Sequence, residues 1–169
     1  DFSETRNIIA FADLGESEGD NMQNAGWNIN GASNPDNDNN AMYAYLTSSQ
    51  GIRNYVNASN LLASTPAGIL QQSVDYEKLE NARLLSSNEY SYNALLGYVS
   101  LNQSLNNDEV LAVSYQYTYK GETYQVGEFS TDGVTGQDAL FLKLLKSTVR
   151  NPTKKLWDLM MKNVYSLGA

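Results

Sequence analysis

The sequence predicts one α+β domain over residues 1–169, in which an antiparallel, sandwich-like β-sheet is joined by two C-terminal helices and a long polar N-terminal loop. Three patterns support this class. Apolar and polar residues alternate over 109–120, Gly, Asn, Asp and Ser dominate 15–40, and apolar residues recur at helical spacing within 138–168. A chain of 169 residues is long enough to bury a core as a single domain.

The β-rich core is predicted over residues 67–130. The alternation over 109–120 gives one face of a strand a row of apolar and tyrosine side chains: Leu111, Val113, Tyr115, Tyr117 and Tyr119. Lys120-Gly121 makes a turn, and residues 123–129 return as the hairpin partner.

Further strands are predicted on the N-terminal side of this hairpin. Residues 97–102 form one, so we expect the sheet to be built around residues 97–129. Residues 6–14 are a short apolar run typical of a buried strand. Residues 41–47 and 69–85 fit more than one kind of element, and the pattern does not choose between them.

Helices are predicted at three places. Residues 51–63 look helical and end before Pro66. The C-terminal pair begins at Asp138, a helix cap, and again at Asn151-Pro152, a cap followed by a proline that suits the first helical turn. The first helix aligns Phe141, Leu144, Leu145 and Val149, and the second stacks Leu156, Met160 and Val164 against Trp157 and Met161. Such a Met–Trp stripe is typically core, but it also suits contact with a neighbour outside this segment.

The polar segment 15–40 is predicted to be a long loop that Trp27 pins to the body of the domain. Near its end, Asp36, Asp38 and Asn40 place oxygens at alternate positions, as a calcium loop does. However, Ala41 stands where that loop needs glycine, Ala44 offers no side-chain oxygen, and Thr47 stands where it needs a bidentate glutamate. The preferred interpretation is a solvated turn, and no metal is predicted.

The composition argues against several classes of function. A net charge of −8 disfavours nucleic-acid binding, which requires clustered lysine and arginine. The absence of His and Cys removes the commonest general base, metal ligand and nucleophile. The acidic pairs Glu16/Glu18 and Asp108/Glu109 lie in polar runs typical of exposed sequence. We therefore expect no catalytic residue, no cofactor and no enzyme activity.

Charge is unevenly distributed along the chain. Residues 139–169 carry six basic side chains against Asp158 alone, whereas the preceding residues are strongly acidic. Two basic helices that pack on an acidic body explain this pattern, although a tail that docks an acidic partner or lipid head groups would explain it too. We also expect both ends of the chain to be boundaries within a larger exported protein.

The second half of the chain contains six runs that are recognisable in combination. They are Tyr76–Leu85 (YEKLENARLL), Leu96–Gln103, Asp108–Val113, Tyr124–Ser130, Leu142–Ser147 and Leu156–Tyr165. In this order, over roughly residues 70–169, they closely resemble the SprA family of giant cell-surface proteins, which also includes Sov.

The resemblance implies a soluble portion of the outer-membrane translocon of the type IX secretion system, which exports folded cargo including gliding adhesins and proteases. It implies a location in the cell envelope, on either side of the outer membrane, and no catalytic residue. Partners would be other parts of the same large polypeptide, other translocon proteins and secreted cargo. No nucleic acid and no membrane span in this segment are expected, and the segment is too short to form the pore.

We therefore predict a non-catalytic structural or docking module. The candidate partner contacts are aromatic and methionine side chains: Trp27, Tyr115, Tyr117, Tyr119, Trp157, Met160 and Met161. One rival is a surface module for glycan or peptide, with Trp27, Tyr43 and Tyr45 as its platform. A second rival is a hydrolase based on carboxylates, which requires two acids that converge in a pocket.

Overall fold

A computed structural model describes residues 5–18, 26–31 and 34–160 of the chain. In chain order, the strands of these residues are β1 Thr5–Phe11, β2 Tyr76–Arg83, β3 Tyr90–Asn93, β4 Tyr98–Leu101, β5 Leu111–Val113, β6 Tyr115–Tyr119, β7 Glu122–Val126 and β8 Leu140–Lys146. The helices are α1 Met42–Ser48, α2 Ala58–Leu62 and a 3-10 helix at Lys155–Leu159. A mainly β fold with a few helices confirms the predicted class.

The main sheet has four strands in the order β2-β1-β8-β5. Strand β1 pairs with β2 in antiparallel and with β8 in parallel orientation, and β8 pairs with β5 in antiparallel orientation. Strands β3 and β4 form a separate two-stranded sheet, and so do β6 and β7.

The two faces of the main sheet bury different parts of the chain. On one face, Ile9, Phe11 and Phe141 pack with α1, α2 and Trp27 in the larger core cluster. On the other, Ala10 and Leu144 pack with Leu156 of the 3-10 helix. Because successive side chains of a strand point to opposite faces, β1 and β8 contribute to both clusters.

The predicted helix that begins at residue 139 is wrong, because residues 140–146 form strand β8. This strand lies between β1 and β5 and is covered on both faces, so its sequence is a nearly continuous apolar run. Such a run resembles a buried helix when it is examined locally. Asp138 caps no helix: its carboxylate accepts a hydrogen bond from the Thr135 hydroxyl at 2.8 Å, in the turn before β8.

The predicted second C-terminal helix is also corrected in part. Its described portion is the 3-10 helix, which ends at Leu159 and is followed by Met160 with extended backbone. Asn151 closes a local turn by accepting a hydrogen bond from the Thr153 amide at 3.0 Å, and the helix cap is Lys154. Residues 161–168 of the prediction lie outside the described residues.

The hairpin prediction is confirmed, but its place in the fold is different from the prediction. Strands β6 and β7 pair from Tyr115–Val126 to Tyr119–Glu122 around Lys120-Gly121. Both turn residues have positive φ, as a two-residue hairpin turn of this type requires. The sheet is not built around residues 97–129, since the alternating run breaks at Ser114: β5 joins the main sheet and β6 leaves it.

The remaining elements resolve the ambiguous segments. The predicted strand at 6–14 is confirmed as β1, residues 42–48 form α1, and 76–83 form β2. The predicted helix over 51–63 contains turns followed by the short α2. Within the described parts of 15–40 the backbone is irregular apart from a bridge between Ile29 and Asn40, as expected for a loop.

Candidate docking surfaces and a buried polar cluster

The β3–β4 hairpin, residues 90–101, exposes large apolar side chains; we call it the ribbon. Its tip carries Leu95 and Leu96, with exposed fractions of 92% and 71%, and Tyr92 on β3 is 72% exposed. Tyr98 and Val99 on β4 are also exposed. Hairpin tips are usually polar, so two adjacent exposed leucines in this position indicate a contact surface.

The base of the ribbon is fixed by polar contacts. The Asn102 amide donates to the Glu89 carbonyl at 2.9 Å, and the Asn102 side chain donates to the Asn88 carbonyl at 2.6 Å. Arg83 at the end of β2 pairs with the Glu89 carboxylate at 2.7 Å. The hydrogen bond from Arg83, together with those from Ser86, lowers the pKa of Glu89 to about 2. The ribbon therefore leaves the domain at a defined point.

The predicted tyrosine face lies on the β6–β7 hairpin. Tyr117 stacks between Tyr115 and Tyr124, with ring centroids 6.2 Å and 5.2 Å away. Its hydroxyl donates to the carbonyl of Pro35 at 2.7 Å, so part of this face contacts the polar loop. Tyr115 and Tyr119 keep 37% and 47% of their surface exposed, and the rest is covered. Tyr115 and Tyr119 thus remain candidate contacts, whereas Tyr117 serves an internal contact.

The predicted Met–Trp stripe is brought together only in part. Trp157 and Met160 are half-buried and line a small crevice with Ser73, Val74 and Ser147. Leu156, from the same element, is buried against the second face of the sheet. Met161 lies outside the described residues. Trp157 and Met160 therefore border the domain core and present only part of their surface.

Trp27 is not available as a partner contact. It is buried in the larger core cluster, and its ring packs on Tyr45 with centroids 5.4 Å apart. This confirms the prediction that Trp27 pins the polar loop to the body of the domain. It corrects the prediction that Trp27 contacts a partner, because the side chain is buried. The same burial disfavours the glycan platform, since Tyr45 is covered by Trp27 and the Tyr43 hydroxyl donates to Glu128 at 3.0 Å.

The residues of the calcium-loop pattern serve other roles. Asn40 is buried, its amide donates to the Asp13 carboxylate at 3.3 Å, and its oxygen accepts from the Met42 amide at 2.9 Å. Met42 to Thr47 lie in α1. In the described part of the chain, no group of three or more acidic side chains is arranged to hold a metal ion.

A buried polar cluster follows the end of β1. Asp13 and Glu16 are both buried, and Glu16 forms an ion pair with Lys143 of β8 at 2.5 Å. Glu16 also accepts from the Leu14 amide at 2.7 Å, and Asp13 accepts from the Gly15 amide at 3.0 Å. Two acids therefore converge, as a carboxylate hydrolase would require, but their oxygens hold the turn at residues 13–16.

Burial raises the pKa of Asp13 above the ordinary value of 3.8, and the Glu16 carboxylate raises it further; the Gly15 amide, Lys143 and Asn40 oppose this shift. The folded chain thus binds this proton more tightly than the unfolded chain does. The contribution of Asp13 to stability is consequently largest at acid pH, and it falls as pH rises from 3.8 through the higher folded pKa.

We predict that Asp13→Asn removes this pH-dependent contribution. The free energy of unfolding of the variant, relative to that of the parent chain, is expected to rise between acid and neutral pH. Urea denaturation at a series of pH values measures this difference, with Asp38→Asn, an exposed position of the polar loop, as the control. A relative stability that stays constant or falls with pH would contradict the assignment.

A second polar cluster ties three segments together around the buried Glu128. The Arg53 guanidinium donates to both Glu128 carboxylate oxygens, at 2.6 Å and 2.7 Å. The Phe141 amide donates to the same carboxylate at 2.8 Å, and the guanidinium lies 4.1 Å from the centre of the Phe141 ring. The hydrogen bonds to Glu128, followed by the charge of its carboxylate, raise the pKa of Arg53, although burial opposes this shift. The cluster fixes the start of β8.

Comparisons with protein-family models, curated proteins and solved structures find no match for this chain. Within the described residues, no helix combines the length and the apolar character needed to cross a bilayer.

Sequence reasoning missed the ribbon tip, Leu95 and Leu96. A signal was present, because the two leucines stand directly between Asn93-Ala94 and Gly97, where a turn is expected to carry polar side chains. A strand over residues 97–102 was predicted, but its pairing with Tyr90–Asn93 was not. Without that pairing, the leucines cannot be placed at the tip of a hairpin.

Proposed function

We propose that this chain is a non-catalytic docking module of a large envelope protein, and that it acts within the type IX secretion translocon. The resemblance of residues 70–169 to the SprA family supports the cellular context. The chain contains no His and no Cys, and the two buried acids that converge near the end of β1 are engaged in holding their own turn, which supports a non-catalytic role.

The observation that carries the docking role is the exposed apolar surface of the ribbon. Tyr92, Leu95 and Leu96 of the ribbon are each more than half exposed. Apolar area that is left in water forgoes about 25 cal/mol per Å² of stabilisation, so a contiguous apolar patch is typical of an interaction site. A partner that covers the tip would recover this free energy on binding.

The test is cargo secretion by cells whose full-length protein carries Leu95→Ser together with Leu96→Ser. The loss of hot-spot contacts worth about 2 kcal/mol weakens an interface roughly 30-fold, so type IX cargo in the medium is expected to fall sharply. General protein export is expected to stay normal. The matched control is Val56→Ser with Ile69→Ser, which changes two comparably exposed apolar side chains elsewhere. Normal secretion by the ribbon variant would overturn the docking role.

A further inference from the structure

A cleft of about 440 Å³ lies beside the buried polar cluster. Its walls come from residues 12–18, residues 34–39, Tyr115, Lys143 and the 3-10 helix. Clefts of a few hundred Å³ have the size of an organic ligand or of a side chain with its backbone. The ribbon contributes nothing to this cleft, which is therefore a candidate site in its own right.

Two of the residues that line this cleft carry a buried side-chain oxygen with no hydrogen-bond partner among the described residues: Oδ1 of Asn39 and Oε1 of Glu18. Asn39 is only 1% exposed, and its amide nitrogen donates to the carbonyls of Glu16 at 2.8 Å and Asn34 at 2.7 Å. These two bonds fix the orientation of the amide, so its oxygen is left as an acceptor. A buried acceptor without a donor is costly, and a ligand with N–H groups would remove that cost.

The charges at the cleft favour a cationic ligand. Three carboxylates line it, those of Glu16, Glu18 and Asp158, against the ammonium groups of Lys143 and Lys155. Lys143 is already engaged, since it pairs with Glu16 and donates to the Ala12 carbonyl. Because the whole chain carries a net charge of −8, its field also attracts cations.

The rest of the wall is apolar and suits an aliphatic stem. Pro35, Leu156 and Leu159 line the cleft together with the Tyr115 ring. Burial, followed by the nearby Glu16 charge, raises the pKa of Tyr115 to about 12, so its hydroxyl stays protonated at neutral pH. The cleft therefore combines unpaired hydrogen-bond acceptors on Asn39 and Glu18 with an apolar wall formed by Pro35, Tyr115 and the 3-10 helix.

We propose that this cleft binds an arginine side chain of a partner polypeptide, whose guanidinium N–H groups would satisfy Asn39 Oδ1 and the Glu18 carboxylate. A planar guanidinium offers five donors in a fixed geometry and is weakly hydrated, so it suits a partly buried acceptor pair. A calcium ion fits less well, because it needs six to eight oxygen ligands, and the described residues hold no group of three or more acidic side chains placed to bind a metal ion. The proposal is independent of the ribbon.

The test is an NMR titration of the chain with acetyl-Gly-Arg-Gly-amide. Saturable shifts at Tyr115, Lys143 and Leu159 are expected. The same peptide with citrulline, which keeps the shape and lacks the charge, is expected to bind at least about tenfold more weakly, since charge-assisted bonds are much the stronger kind. Glu18→Gln is expected to weaken the arginine peptide to a similar degree, and Glu80→Gln, at an exposed acid outside the cleft, is expected to leave it unchanged.

Leu159→Ala removes a half-exposed wall residue with little risk to folding, and it too is expected to weaken the arginine peptide. Equal binding of the arginine and citrulline peptides would overturn the proposal. So would equal binding of a lysine peptide, or shifts at the cleft that calcium chloride produces and the arginine peptide does not.

Discussion

Replacing Glu128 with alanine is expected to lower the free energy of unfolding by about 3–5 kcal/mol, as the loss of one partner of a buried ion pair does. Glu128 is buried and accepts bonds from Arg53, from the Phe141 amide and from the Tyr43 hydroxyl. Alanine would leave a largely covered guanidinium and a buried backbone N–H without their acceptor. Strand β8 starts here and lies between β1 and β5 in the main sheet, so we expect the substitution to weaken the pairing of the whole sheet.

Urea denaturation measures this effect, with Glu89→Ala as the control. Glu89 pairs with Arg83 at a similar distance, 2.7 Å, but on the surface, where such pairs contribute little. A far smaller loss is therefore expected for the control. If Glu128→Ala and Glu89→Ala reduced stability equally, the role assigned to the Glu128 cluster would be wrong.

Replacing Gly15 with alanine is expected to cost about 3 kcal/mol or more, because backbone strain and a steric clash add together. Gly15 has a φ of +128°, a region that side-chain-bearing residues rarely adopt. A Cβ at this position would lie 2.3 Å from the Asn37 carbonyl oxygen. The turn cannot easily move away, since the Gly15 amide donates to Asp13 at 3.0 Å and its carbonyl accepts from the Asn40 amide at 2.8 Å.

Gly133→Ala separates the two causes. Gly133 also has a positive φ, +84°, but a Cβ there would meet nothing within 4 Å. Only the backbone strain remains, which is worth about 1–2 kcal/mol. Thermal and urea unfolding of both variants provide the comparison. Similar losses for the two glycines would show that the close approach of Asn37 to Gly15 does not matter to stability.

The parts of the fold that local sequence determines were predicted well. The β6–β7 hairpin follows from alternating residues and a two-residue turn, both of which lie within a dozen residues. The anchoring of the loop by Trp27 follows from a single large apolar ring in a polar segment. In both cases, the residues that carry the signal also make the decisive contacts.

The main sheet was not predictable in the same way. Strand β8 pairs in parallel with β1, about 130 residues earlier, and both of its faces are covered, so it shows neither alternation nor a local partner. The apolar run at 140–146 therefore suggested a helix. A strand could be predicted for residues 140–146 only by knowing that β1, which pairs with β2 on one side, needs a second strand on its other side.

The candidate surfaces, too, were predictable where local sequence determines them and not where distant contacts do. The tyrosines of the hairpin were identified from their spacing, but the bond from Tyr117 to Pro35 joins residues 82 positions apart and could not be foreseen. The cleft proposed to bind arginine gathers residues from five separate segments, and its defining feature is an unsatisfied oxygen on Asn39. Such a feature becomes visible only once the surrounding donors have been assigned.

The docking role proposed for the ribbon is tested most directly by the amount of type IX cargo in the medium, measured against the amount of full-length protein in the envelope of the same cells. With Leu95→Ser and Leu96→Ser, the full-length protein is expected at its normal level while cargo in the medium is largely lost. Cargo at the level reached with the Val56→Ser and Ile69→Ser control would contradict the account.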